Sequence, residues 1–549
     1  MGIKRYIADK DNTITNAFEQ NLTTRGTGSN MGASDVLEVF SIYGQSFNSS
    51  SADGLNQTQE LSRILVQFPV TDIITDRTNN NIPASGNVDF YLRLYNAKHA
   101  STVPKAMTLV VVPASSSWEE GIGLDMESYL DLTKDKEGSN WMMRSASTAW
   151  ATVGGTYLTA SANNVYGDRR QTTSFEKGTE DLKLDITDVV ERWIKGTVGA
   201  GGFPNYGLGI HLTGTQEAYY SSSAGGFANG SIIQNVSGAT RSYYTKKFFA
   251  RTSEFFFKRP LIEARWDSTK QDDRGNTFYS SSLASAANNL NTIYLYNYIG
   301  GRLQNIPGLT DATSKIYVQI FSGSSTNTAP SGSAITLVTT TDFVSTAVPT
   351  VVTGGYVSTG IYSASFALTA AATPLTKIFD VWYLDGTNKL GTQIFTGSIK
   401  PKSLQASNQN VGNSYVANIS NLKPSYSNEE KVRLRVITRL KNWNPTIYSK
   451  ATAKVESANI SDMYYKVIRV FDDYNIISYG TGAVAPQSIG NAQSYTRLSY
   501  DVSGSYFDVD MSLLESGYMY GIKLAYYQNL GYKEFNRVFN FRVDKDQDN

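Results

Sequence analysis

Between Asp181 and Leu212 the chain reads strand, short helix, Gly/Pro-rich loop and strand, and this order constrains the fold more than any other stretch. Leu182, Leu184 and Ile186 alternate with polar and charged residues, the period-2 pattern of a strand with one buried face. Val189, Val190, Trp193 and Ile194 then share one side of a helix that Thr187 or Asp188 is placed to cap. Asn205-Tyr206-Gly207 turns the chain into the apolar run Leu208–Leu212. One amphipathic helix between strands needs a sheet to lie on, so the expectation is an all-β fold with one short helix.

Those residues resemble the DNRLRE domain, a β-sandwich of carbohydrate-binding-module type found in secreted and surface proteins. Further motifs follow in the same order. Asp11-Asn12-Thr13-Ile14 and Asn30-Met31-Gly32-Ala33-Ser34 look like the family's opening. Ser62–Phe68, with Arg63 ahead of an apolar strand, and Tyr91–Tyr95 look like its core strands. Ser117-Trp118-Glu119-Glu120-Gly121-Ile122-Gly123 is similar to its Trp-Glu-Glu-Gly loop, and Arg259-Pro260-Leu261-Ile262-Glu263 to its closing strand. The resemblance covers residues 1–267 and implies a jelly-roll-like first domain. It implies fold more than function, because sites are grafted onto folds. Gly138–Val165 and Thr213–Thr245 stand out as long Ser/Gly/Asn/Tyr-rich insertions, and such loops on a rigid scaffold are expected to be contact surfaces.

Beyond Trp266 the pattern changes. Asp267–Asn276 reads as a charged connector and Ser280–Asn291 as a small-residue stretch. Strands are expected at Thr292–Tyr298, Ile316–Phe321, Gly360–Leu368, Ile378–Leu384 and Gln393–Ile399, with a hairpin turn at Asp385-Gly386. Residues 268–400 therefore read as an immunoglobulin-like sandwich. From Pro401, Lys431–Ile437 alternates Val432, Leu434 and Val436 against charge. Tyr464–Phe471, Tyr506–Met511, Tyr518–Tyr527 and Phe535–Val543 follow as strands, with a single turn at Ser512–Glu515. The expected architecture is three tandem β-sandwiches, 1–267, 268–400 and 401–549.

A formal net charge of +1 gives no global field to steer nucleic acid or anionic lipid. No run reaches the roughly 18 apolar residues of a membrane span, and Met1–Tyr6 lacks the apolar core of a secretory leader. With no cysteine in 549 residues, a disulfide framework is impossible. A surface-type fold that starts in a cytoplasm without disulfides suits a virion component assembled in the host cell and released by lysis. The whole chain also resembles large structural proteins of tailed bacteriophages, particularly those of marine and cyanobacterial hosts. The residues carrying that likeness are Thr13–Phe18, Ser41–Gly44, Tyr243–Arg251, Phe255–Pro260 and Phe507–Glu515.

Candidates for chemistry are few. His99 and His211 are the two histidines, too few for a multi-His metal site, and no G-x-S-x-G elbow is present. The acid pairs Glu119/Glu120, Asp272/Asp273 and Asp508/Asp510 are weighed for glycoside hydrolysis and none is expected to be catalytic, Glu119/Glu120 reading as turn residues and Asp508/Asp510 as solvent-facing. Asp9-x-Asp11 and Asp544-x-Asp546-x-Asp548 offer the oxygens calcium takes, without the Gly and distal Glu of an EF-hand loop. Gly26-x-Gly28-x-x-x-Gly32 lacks the Lys of a phosphate loop. No enzyme, cofactor or metal is expected. Trp118, Trp141, Trp150 and Tyr157 are the candidate residues for an interface or a stacked sugar ring, with core packing the competing reading.

The expectation is a non-enzymatic virion structural protein, an accessory of neck, tail or head surface, partnered by other virion proteins and by copies of itself. The alternative is a host-surface polysaccharide-binding adhesin. Neither nucleic acid nor membrane is an expected partner.

Overall fold

The computed structural model describes residues 2–17, 26–47, 57–98, 105–124, 138–159, 166–217, 235, 237–239, 243–279, 290–337, 350–368, 375–385, 392–402, 414–444, 446–447, 457–480, 494–528 and 531–545. Among them the fold is all-β with two α-helices, its sheets arranged as several β-sandwich domains. Contacts divide the chain into two compact units, Gly2–Trp266 and the chain from Asp267 onward.

In chain order the strands of the first unit are β1 (Ile3–Ile7), β2 (Lys10–Thr15), β3 (Val36–Phe47), β4 (Gln57–Gln67), β5 (Asp89–Leu94), β6 (Met107–Pro113), β7 (Met143–Ser145), β8 (Thr148–Ala149), β9 (Gln171–Phe175), β10 (Leu182–Asp185), β11 (Leu208–Leu212), β12 (Tyr243–Phe249) and β13 (Leu261–Arg265). One antiparallel sheet runs β1-β13-β5-β10. The other runs β12-β3-β4-β11-β6-β9, with β2 also on β4. Alternation along each strand sends one set of side chains inward. Ile64 and Val66, Leu92 and Leu94, Leu109 and Val111, Leu208 and Ile210, and Ile262 and Ala264 build the shared core. Each fully buried Leu, Ile or Val side chain there contributes about 1.5–3 kcal/mol.

Two helices lie on this unit where the sequence pattern showed one. α1 (Val70–Thr78) was hidden because VTDIITDRT is rich in β-branched residues, which favour strands. Packing overrides that preference: Val70 and Ile73 enter the core, and Asp76 accepts from Tyr6 Oη at 2.7 Å and pairs with Lys4. α2 (Thr187–Lys195) buries Val189, Val190 and Trp193 as its spacing predicts. Its cap differs from the expectation. Ile186 holds the cap position, Asp185 Oδ1 accepts from Thr187 N at 2.9 Å, and Thr187 Oγ1 accepts from Phe90 N at 2.9 Å. Arg77 of α1 forms a two-pronged pair with Glu191 of α2, at 2.6 and 2.8 Å.

The second unit holds two sheet systems. Strands at Asn291–Tyr296, Ile361–Phe366, Val351–Ser358, Lys315–Gly323, Lys377–Tyr383 and Gln393–Ile399 form, in that order, one six-stranded antiparallel sheet. It wraps a core that includes Ile293, Ile316, Val318, Tyr362 and Trp382. The turn expected at Asp385-Gly386 joins two strands that do pair, but Gly386 lies outside the described residues. Further on, a four-stranded sheet (Tyr415–Ile419, Lys431–Leu440, Gly504–Asp510, Ser499–Asp501) accompanies a six-stranded one built around Met519–Gln528 and Met463–Arg469. Tyr465 of one stacks on Phe507 of the other with ring centroids 4.3 Å apart.

The charged connector is not a solvated linker. Asp272 and Asp273 are buried; Asp273 accepts from Tyr500 Oη at 2.7 Å and from Thr292 N at 2.8 Å. Arg274 reaches Asp380 at 2.5 Å, whose other oxygen accepts from Trp382 Nε1 at 2.7 Å. Lys270, Asp273 and Arg274 meet partners in distant strands, contacts that a local reading of the run as a charged connector does not contain.

Candidate functional site

The four aromatic residues singled out in the sequence come together on the outer face of the seven-stranded sheet. On β4, Leu61, Arg63 and Leu65 point away from the main core because Ile64 and Val66 point into it. Ile14 of β2 sits opposite Arg63 in the register, and Gly209 of β11 opposite Leu65. Segments of the loops between β6 and β9 cover this face. Trp118, Trp141 and Trp150 join Ile14, Leu61 and Leu65 in a second apolar cluster, with Met142, Val153 and Tyr157 packed against it.

The three tryptophan rings are enclosed, which matches core packing, the competing reading for them. Trp141 has no exposed surface at all, and Trp118 and Trp150 are nearly as enclosed. Their indole N–H groups point inward as well: Trp118 donates to Tyr206 O at 2.8 Å and Trp150 to Asn140 O at 2.9 Å. Tyr157 is half-buried and lies flat on β11, where a Cβ at position 209 would stand 2.0 Å from its ring carbon Cε1. Glycine at 209 is therefore what lets the ring reach the sheet.

Arg63 is the centre of the cluster. Its guanidinium donates to both carboxylate oxygens of Glu217, at 2.8 to 3.2 Å, and to Gly154 O at 2.9 Å. It also lies 5.4 Å from the Trp141 ring and 6.0 Å from the Tyr157 ring. Tyr157 Oη donates to Gly154 O at 3.0 Å, and the His211 ring is 5.6 Å from the Tyr157 ring. Burial, with the Arg63 charge added, pushes His211 down to about 4, so it is neutral at pH 7 and bound through Nδ1 to Leu212 O at 2.7 Å. An imidazole held neutral in this setting serves as a structural group. His99 lies outside the described residues.

A polar lock adjoins the aromatic cluster. Asn12 Nδ2 donates to Ser139 O at 2.8 Å, and Asn30 Nδ2 to Glu120 O at 2.6 Å and Ser139 O at 2.7 Å. Their Oδ1 atoms accept from Met31 N and from Gly32 N and Gly123 N. The backbone approaches so closely that a Cβ on Gly123 would stand 1.7 Å from Asn30 O. Glu120 pairs doubly with Arg251, 2.7 Å at each contact, and accepts from Asp11 N at 2.8 Å. Asp11 in turn accepts from Arg251 N at 2.6 Å, while its Oδ1 is buried with no hydrogen-bond partner. Burial pushes Asp11 up to about 7, and the Glu120 charge adds to this.

The acid pairs considered for hydrolysis are taken up in the fold. Glu119 accepts from Ala146 N at 3.1 Å while Glu120 holds Arg251. Asp508 pairs with Arg433 at 2.8 Å across two strands, and Asp510 accepts from Ser512 N at 3.1 Å. Asp546 and Asp548 lie outside the described residues. Among the described residues, no group of three or more His, Asp or Glu side chains is arranged to hold a metal ion. No helix among them is long and apolar enough to cross a membrane. One charged centre had no sequence signal. Glu263 on β13 is buried against Arg5 at 2.8 Å, Arg265 and Arg93, and although burial opposes it, these three hold its carboxyl down to about 2.

No family model matches the chain, and no curated protein matches it. A solved structure, trypsin-activated alpha-2-macroglobulin from Escherichia coli, is similar at 10% identity over 91% of this chain and 30% of that one, with a TM-score of 0.14. The chain thus spans about a third of that protein, and a similarity of this size carries no argument about fold or function.

Proposed function

We propose that the chain is a non-enzymatic structural protein of a tailed-phage virion, an accessory of neck, tail or head surface that assembles through its β-sandwich domains. The observation that supports this reading is where its reactive side chains go. Arg63, Glu217, Glu120, Arg251, Asp273, Arg274 and Glu263 are all committed to intramolecular pairs that fix loops and strands. The resemblance of Tyr243–Arg251 and Phe507–Glu515 to phage structural proteins gives the reading its setting. Partners would be other virion proteins and further copies of the chain, joined by repeated contacts under closed symmetry. The adhesin alternative is less well supported, because three of the four rings it would use for stacking face a core.

The test is mass spectrometry of purified particles together with cryo-electron microscopy of intact virions. Stoichiometric presence and density that fits both units are the expected result. Absence from particles, with the protein free in the lysate, would overturn the proposal. A glycan array on the purified chain then tests the adhesin reading directly.

A further inference from the structure

Lys246 is the one lysine among the fully enclosed side chains of the described residues. Alternation on β12 places Lys246 and Phe248 inward and Lys247 outward, where Lys247 pairs with Glu38. The Lys246 ammonium group lies over the Phe175 and Phe248 rings, 4.8 and 5.1 Å from their centroids. Among the described residues it forms no ion pair. Its three hydrogen bonds go to Asn96 Oδ1 at 2.6 Å, Gly178 O at 2.9 Å and Glu180 O at 2.6 Å. A buried ammonium group with no carboxylate in contact is a costly arrangement that folded proteins avoid.

A neutral amide nitrogen at the same place would remove that cost, and the group needed to make one is in contact. We propose that Lys246 and Asn96 form an intramolecular isopeptide bond, a covalent staple between the two sheets of the first unit. Asn96 Oδ1 touches Nζ, and its Cγ is one C=O bond, about 1.2 Å, from that oxygen. Amine and carbonyl are thus held together in a dry pocket, the condition under which intramolecular reactions gain most from proximity. The Gly178 and Glu180 carbonyls fix Nζ against the side-chain amide.

The step balances without any oxidant or cofactor. Neutral Nζ attacks Cγ, the Nζ–Cγ bond forms, the Cγ–Nδ2 bond breaks, and Nδ2 leaves as ammonia carrying the proton that Nζ gives up. Burial pushes Lys246 down to about 8, which favours the neutral amine, while the Glu180 and Asp181 charges oppose it. Of these two carboxylates Glu180 has the larger effect on Lys246, and it takes the part of proton carrier in this step. Its Oε1 accepts from Lys177 N at 2.6 Å, and its Oε2 is shielded from solvent with no hydrogen-bond partner. Asp181 holds the Asn96 backbone N–H at 2.8 Å and so positions the electrophile.

The placement gives the bond a structural role. Asn96 follows β5 of the four-stranded sheet, and Lys246 lies on β12 at the edge of the other sheet. The two segments meet through the bridge between Asn96 and Phe248 and through Ala97 N to Lys247 O at 2.9 Å. A staple there closes a loop of 150 residues in a chain that has no cysteine. It would limit the unfolded chain as a long-range disulfide does.

The experiment is the denatured intact mass of the full chain, followed by tandem mass spectrometry of a digest. The expected result is a mass one ammonia below that of the sequence and a branched peptide joining the Lys246 and Asn96 segments. Lys246→Met and Asn96→Ala should each restore the full mass, and Glu180→Gln should slow or stop the loss in a folded protein. A wild-type mass equal to the sequence mass, with both segments recovered as linear peptides, overturns the proposal whatever the variants do. A missing ammonia without the branched peptide overturns it too, because a succinimide elsewhere loses the same atoms. Cross-linking undiminished in Glu180→Gln would overturn the role given to that carboxylate.

Discussion

Replacing Arg63 with Met is the sharpest perturbation of the first unit. The change keeps an unbranched apolar stem but deletes the guanidinium that Glu217 and Gly154 O depend on and that lies over the Trp141 ring. Breaking a buried pair from one side costs about 3–5 kcal/mol, most of it from the charge left behind. Loss of the stacking over Trp141 adds about 0.5–2 kcal/mol, part of which the Met sulfur restores. Because these effects share the same atoms, the expected total is about 3–5 kcal/mol. Glu217→Gln strands the opposite charge and should cost a similar amount, whereas Arg63→Met with Glu217→Gln strands neither. The double variant should therefore be more stable than the sum of the singles by about 1–3 kcal/mol. Urea unfolding followed by tryptophan fluorescence reads this out, since Trp118, Trp141 and Trp150 surround the site. Single variants within about 1 kcal/mol of wild type, or a double variant additive within about 0.5 kcal/mol, would show that the outer-face cluster is not the closed second core described above.

Three further outcomes follow from particular side chains. His211 is held near 4 when folded against an ordinary 6.5, so the unfolded chain takes up a proton first as pH falls. Its contribution is whole above about pH 6.5 and is lost toward pH 4, by about 1–3 kcal/mol for a half-buried ring; His211→Gln should flatten that part of a stability-against-pH curve, and an unchanged slope would refute the assignment. Asp11 acts with the opposite sign, its raised value favouring the folded state as pH falls below about 7, so the His211 effect is read as a difference between variant and wild type. Gly209→Ala places a methyl group 2.0 Å from Tyr157 Cε1 and should cost about 1–3 kcal/mol in urea unfolding; a loss below about 0.5 kcal/mol would mean the ring does not lie on β11 there. In the second unit, Asp273→Ala leaves the Tyr500 hydroxyl and the Thr292 N–H without their buried acceptor. It should lower stability by about 2–4 kcal/mol, seen by calorimetry, and no change would argue that residues 267–276 act as a linker after all.

What the sequence disclosed was local. The alternation of Leu182, Leu184 and Ile186 and the spacing of Val189, Val190 and Trp193 appear in β10 and α2 nearly residue for residue, because each pattern is contained within one element. α1 was missed because its own composition argues for a strand and only its contacts with the core and Asp76 argue for a helix. The aromatic cluster was half legible. Its members could be picked out, but whether they face solvent depends on Arg63 meeting Glu217, 154 positions away, and on Arg251 meeting Glu120, 131 away. No local pattern encodes such pairs. Asp267–Asn276 could be read only as a charged connector for the same reason, since Asp273 and Arg274 find Tyr500 and Asp380 only in the folded chain.

The outer face of the seven-stranded sheet could have been covered by aliphatic packing alone, and a core of that kind is no less stable. The polar hub does something that greasy contacts do not. Asn12 and Asn30 bind backbone atoms of specific residues in three different segments, and Arg63 fixes Gly154 and Glu217 at defined angles. Slipping any of these loops by one residue would leave buried donors and acceptors unmatched, at about 1–3 kcal/mol for each. A loop packed only on Leu and Val can slide at far lower cost. The described parts of the insertions, residues 138–159 and 213–217, are therefore held in one register against the sheet. A repeating assembly needs that property from a subunit, since a contact that varied between copies could not close a symmetric ring.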